Sequence, residues 1–201
     1  MADFRGLSGA LSALRLKLEQ GLPPLAAAGI DASVRVLDST SLDDNGLDAL
    51  PSNTLGIYLH RIEVDPVASN RTMPPPRPNL PRQPELVVNL HILLIVLKAD
   101  QAGEAMIMGW AMQRLADAAG LDHALLSAAE PDAQWHPDES LQVFPEPMST
   151  QDLLRIWEGL PADYHLSSTY VIRSLRVLPS KLVERGPIVG EIEYGWGRHD
   201  P

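Results

Sequence analysis

No cysteine occurs anywhere in the 201 residues. Disulfides, thiolate catalysis and cysteine-ligated zinc are thereby excluded, and the composition fits a reducing cytoplasm. Aromatic residues are scarce at 5%, so the core must rest mainly on Leu, Ile, Val and Ala. The longest apolar stretch, residues 86–97, contains Asn89 and His91 and is too short to span a bilayer as a helix. Near the N-terminus, Arg15, Lys17 and Glu19 interrupt the apolar residues, so no secretion-signal core forms. Positive charge is also short: 16 Lys and Arg face 26 Asp and Glu, for a net charge of -10. Such a chain repels phosphate backbones, which argues against a nucleic-acid partner, and it stays soluble. Neither a nucleic acid nor a membrane is an expected partner.

The common catalytic signatures are missing together. Gly-x-Ser-x-Gly, Gly-x-Gly-x-x-Gly, the phosphate-cradling P-loop and His-Glu-x-x-His do not occur. No catalytic residue and no cofactor are expected. The best metal candidate is the group His123, His136, Asp138 and Glu139, since imidazole and carboxylate are suitable ligands for zinc. Their spacing matches no known ligand frame, which favours a solvated polar loop.

What is present reads as a folded α/β (α+β) chain. Hydrophobic residues make up 45% and charged residues 21%, as in ordinary globular domains. Residues 4–19 are expected to form an amphipathic helix, with Leu7, Leu11, Leu14 and Leu18 on one stripe, stopped by Gly21 and Pro23. A short strand over 34–37 precedes an acidic loop with Asp38, Asp43, Asp44, Asp48 and the turn pair Asn45-Gly46. Residues 54–64 alternate as a strand, with Leu55, Ile57 and Leu59 on one face and Tyr58, His60, Ile62 and Val64 on the other. Residues 86–97 are apolar on both faces, as a central strand should be.

A second helix is expected over 102–119. Residues 121–147 read as an acidic loop without Lys or Arg, holding a short strand at 141–144. A third helix opens at Ser149, where Ser149 and Asp152 approach a capping box. Residues 170–177 and 188–194 alternate as closing strands. The sum is one domain, 1–201, with a single mostly antiparallel sheet and about three packed helices.

Residues 66–84 stand apart. They hold seven prolines, Pro66, Pro74, Pro75, Pro76, Pro78, Pro81 and Pro84, together with Arg71, Arg77 and Arg82 and no acid. That composition forbids helix and favours an extended, solvated arm. A basic arm on a chain with acidic loops lets copies bind head to tail, and closing rotation turns that contact into a ring. The same arm, through 74–78 (PPPRP), also resembles a polyproline recognition peptide, which would make the chain a monomeric adaptor. Trp135 is either an interface anchor or a plug under its loop. His91 and Asn89 share a strand face, as a functional pair or a satisfied core hydrogen bond. His60 and Arg61 are either an anion site or a solvated strand end.

Four blocks in order carry a family resemblance: 57–71 (IYLHRIEVDPVASNR), 84–100 (PELVVNLHILLIVLKAD), 104–117 (EAMIMGWAMQRLAD) and 149–178 (STQDLLRIWEGLPADYHLSSTYVIRSLRVL). Together they resemble the cap, or tail-terminator, proteins of extracellular contractile injection systems of the virulence-cassette and antifeeding-prophage type. The likeness is to an N-terminal-domain-only form, because some relatives carry a further C-terminal region. It implies a tail-terminator-like fold and no enzyme activity. It implies a subunit of a sixfold ring on the distal end of the inner tube, where the ring ends tube growth and contacts the last sheath layer. Assembly in a bacterial cytoplasm, and release within a phage tail-like particle, follow from the same likeness. Arg71, Arg77 and Arg82, with Asp43, Asp44 and Trp135, are then the expected subunit or sheath contacts. A metal-dependent enzyme using residues 123–139 is the remote alternative.

Overall fold

The computed structural model describes residues 2–65 and 86–178. The proline-rich arm with Arg71, Arg77 and Arg82, and the expected strand at 188–194, lie outside the described residues. Within them runs one six-stranded sheet: β1 (Ser33–Leu37), β2 (Thr54–Val64), β3 (Leu86–Leu97), β4 (Gly120–Leu121), β5 (Leu141–Pro145) and β6 (Ser167–Val177), in the order β1-β2-β3-β6-β5-β4. Only β1 and β2 pair in parallel; the other described pairings are antiparallel. The mixed, mostly antiparallel α+β architecture is the one the sequence implies.

The sheet buries apolar side chains on both faces, and β3 supplies the middle of each core. Leu90, Ile92, Leu94 and Val96 face one side; Leu93, Ile95 and Leu97 face the other. On the first side, α1 (Gly6–Glu19) lays down Leu11, Leu14 and Leu18. Beside it lies α4 (Gln101–Asp117), with Ile107, Ala111 and Leu115 inward. On the second side, Trp157 of α6 (Thr150–Glu158) closes a smaller core with Leu37 and Leu42, and its indole N–H donates to Ser167 Oγ at 3.1 Å. Ser149 caps α6 as expected: its Oγ accepts from the Asp152 amide at 3.1 Å and donates to the Asp152 carboxylate at 2.6 Å.

Three short helices arise where loops are expected. Pro23 ends α1 yet opens α2 (Pro23–Ala27), because a helix start needs no proline N–H. The pair Asn45-Gly46 lies inside α3 (Asp44–Ala49) and not in a turn; the Asp43 carboxylate accepts from the Gly46 amide at 2.7 Å and starts the helix there. Residues 121–147 hold α5 (His123–Ala129), nucleated when Asp122 accepts from the Leu125 amide at 2.9 Å.

The expected alternation along β2 fails at one residue. Leu59 pairs with Ile92 but Arg61 pairs with His91, so His60 is an extra residue in the strand. A one-residue insertion exchanges the faces of everything beyond it. Arg61 and Glu63 therefore join the face of His91, while Ile62 sits opposite Leu90 on the other side. A second bulge lies across β3: Val88 pairs with Leu175 and Leu90 with Ile172, which sets Arg173 and Ser174 against Asn89 alone. Ser174 takes a left-handed φ of 63° there, and its amide donates to Asn89 Oδ1 at 3.1 Å.

Candidate functional site

Between the two bulges, on the part of the sheet beyond α6, the side chains change from apolar to charged. His91 is 5% exposed. Its Nδ1 lies 2.8 Å from Glu146 Oε2, and its Nε2 lies 3.1 Å from Glu63 Oε2. One Arg61 nitrogen lies 3.2 Å from both ring nitrogens, 3.3 Å from Glu63 and 3.5 Å from Glu146. Two carboxylates thus share a guanidinium and an imidazole. These groups floor a depression of about 440 Å³, whose rim adds Asp65, Asn89 and Arg173.

The elements explain the meeting. The His60 bulge turns Arg61 and Glu63 toward His91, as the cross-strand register requires. Glu146 follows β5 and is pinned through its backbone: its amide donates to Thr169 O at 2.9 Å, and Thr169 Oγ1 donates to Glu146 O at 2.6 Å. The His60 ring meets the His91 ring edge-on, with centroids 6.2 Å apart. Burial is the main force holding the His60 imidazole below its ordinary titration range. Among the described residues, the hydrogen-bonding partners of His91 are carboxylates and a guanidinium, which makes it a tie between strands.

Of the residues singled out in the sequence, His60, Arg61, Asn89 and His91 come together here, and Asn89 and His91 do so as satisfied hydrogen-bonding groups. Glu63, Glu146 and Arg173 carry no sequence signal: Glu146 is 55 positions from His91, and only the fold joins them. Trp135 is a plug. It is 7% exposed, packs beside Gly6 and Gly9 of α1, and donates from Nε1 to Glu130 O at 2.9 Å. Asp43 is engaged as the α3 cap, and Asp44 in the first turn is exposed. His123 Nε2 lies 3.3 Å from Ser127 Oγ, whereas His136 is in its own loop, 3.8 Å from Asp138. Among the described residues, no three His, Asp or Glu side chains are placed to share a metal ion. Also among them, no helix is long and apolar enough to cross a membrane.

The family model described as the Pvc16 N-terminal domain matches residues 10–191, which takes in both bulges, the charged tie and the arm. The chain belongs to the Pvc16 N-terminal domain family. Two solved structures are similar to this family member. One is the sheath/tube terminator, in the extended state, of the PVC extracellular contractile injection system, solved by cryo-EM: 16% identity, TM-score 0.49, covering 91% of this chain and 63% of that one. The other is the anti-feeding prophage tube-terminating cap: 14% identity, TM-score 0.46, covering 72% of this chain and 50% of that one. This Pvc16 N-terminal domain chain thus spans less than two thirds of the length of either. No curated protein matches it.

Proposed function

We propose that this chain is a structural subunit of a tube terminator in a contractile injection system or related phage-like tail. It caps the end of the inner tube distal to the baseplate, stops tube growth and contacts the last sheath layer. It works as one terminator-like domain in a ring of six copies, and it performs no catalysis. It assembles inside the bacterial cell and leaves it only as part of the particle. The observation that carries this reading is membership of the Pvc16 N-terminal domain family across residues 10–191.

The chemistry of the chain is consistent with such a role. The charged groups of the depression pair with one another within the sheet, as in a structural tie. A net charge of -10 suits docking steered by a charged tube end. The arm residues Arg71, Arg77 and Arg82 reach a neighbouring subunit, where exposed acids such as Asp44 receive them, or they reach the sheath. Asp43 supports that contact by holding the start of α3. Trp135 acts from beneath, by fixing the loop that follows α5.

Light scattering on the purified chain across a concentration series, repeated with tube protein present, tests the ring. A mass of about six subunits, alone or on the tube, is expected; a monomer under both conditions contradicts it. Reversing Arg71, Arg77 and Arg82 to Glu together should abolish the ring or its docking and leave the circular-dichroism spectrum unchanged. Unaltered assembly of that variant removes the arm from the account.

A further inference from the structure

His60 makes the bulge in β2, and it is poorly placed to carry a charge. Its Nε2 is shut off from solvent and has no hydrogen-bond partner among the described residues. A protonated imidazole must place two N–H donors. A proton on His60 would therefore leave a buried donor unpaired. The ring stands edge-on to His91, and Arg61 follows it in the chain. The charged and titratable groups around it are Tyr58, Arg61, Glu63 and Asp65 from β2 and its end, His91 from β3, Glu146 after β5 and Arg173 from β6. On the β1 side stands Asp38, whose carboxylate is engaged by the Thr40 and Ser41 hydroxyls. Burial holds the His60 pKa below its ordinary 6.5 against the pull of Glu146, and His91 and Arg61 add to burial.

The strand beyond His60 has a second register within reach. With the bulge, Arg61 pairs with His91, Ile62 with Leu90 and Glu63 with Asn89. Continuing the register of residues 54–59 without it would pair His60 with His91, Arg61 with Leu90 and Ile62 with Asn89. That slip turns Ile62 and Val64 to the charged side and sends Arg61 and Glu63 to the other. Burial opposes neither arrangement strongly. Ile62 and Val64 are 47% and 49% exposed, and the Arg61 and Glu63 side chains are each 54% exposed. What holds the bulge is the charged tie, in which Arg61 and Glu63 reach His91 and Glu146.

We propose that β2 beyond Leu59 is a two-register element, and that the charge on His60 selects the register. With His60 neutral, the tie holds the bulge. With His60 protonated, a new cation stands beside Arg61 and His91. Slipping by one residue removes Arg61 to the opposite face and leaves Glu146 to face both imidazoles. A depressed histidine pKa means that the bulged register takes up the proton less readily than a free ring does. That register is therefore complete above pH 6.5 and gives way as the pH falls below it. The charged depression needs Arg61 and Glu63 on the side of His91, so it comes apart in mild acid. Nothing in this switch depends on the terminator reading.

Nuclear magnetic resonance on the whole chain reads the register directly. A titration from pH 7.5 to 5 stays above the ordinary carboxylate range near about 4. At pH 7.5, cross-strand proton contacts should join Ile62 to Leu90 and Glu63 to Asn89. As the His60 ring signals titrate, with a midpoint below 6.5, those contacts should be replaced by Arg61 to Leu90 and Ile62 to Asn89. His60→Phe and His60→Gln are neutral at every pH, and whichever folds should keep the first set throughout. Four results would each overturn the proposal: a His60 midpoint at or above 6.5, the first set persisting while His60 titrates, the first set vanishing with no second set in its place, or the same slip in a neutral variant.

Discussion

His91 Nδ1 and Glu146 Oε2 lie 2.8 Å apart, joining the central strand to the segment that leads into α6. The Glu146 side chain is 19% exposed and that of His91 is 6% exposed. Removing the imidazole leaves a largely buried carboxylate with, among the described side-chain partners, the half-exposed Arg61 beside it. His91→Ala should therefore lower the unfolding free energy by about 1–3 kcal/mol. Urea denaturation of this variant and of His91→Ala with Glu146→Gln checks this: the second substitution should recover part of the loss. Equal stability of all three chains would mean that the tie contributes nothing.

Two glycines on helices are expected to behave oppositely. A Cβ on Gly9 would sit 2.8 Å from a Trp135 ring carbon and 2.9 Å from Glu130 Cβ. Gly9→Ala should therefore destabilise the fold by about 1–3 kcal/mol, through displacement of the indole from α1. At Gly109 a Cβ would meet no described atom within 4 Å, so Gly109→Ala should stabilise the fold by about 0.5–1 kcal/mol. Thermal or urea unfolding measures both, and the signs are the test.

Asp38 supplies a pH dependence. Hydrogen bonds from the Ser41 and Thr40 hydroxyls, helped by the Ser41 amide, pull its pKa from 3.8 to about 2. A depressed carboxylate pKa means that the unfolded chain binds the proton first. The stabilisation is thus complete above pH 3.8 and is lost as the pH falls to about 2. Asp38→Asn should lose stability at neutral pH and show a flatter decline through that acid window. An identical acid profile in both chains would contradict the assignment.

Periodicity carried much of the fold. The stripe of Leu7, Leu11, Leu14 and Leu18, the doubly apolar run 86–97 and the Ser149 cap are each local patterns, and each forms the expected element. The missed pieces depend on single residues. α3 and α5 are short helices started by one aspartate each, with too few buried residues to show a period. The bulge at His60 leaves no mark in composition, yet it exchanges the faces of Arg61, Ile62 and Glu63 and so creates the charged site. Asn89 and His91 were legible as polar residues in an apolar strand. Glu63 and Glu146 were not, because their partner is set by sheet order and not by spacing.

The terminator reading is tested most directly at the tube end itself. Inner-tube protein should be polymerised with and without the purified chain, and the ends imaged by electron microscopy. The account predicts shorter tubes, each bearing a sixfold ring at one end only. Tubes of unchanged length with both ends bare would contradict it.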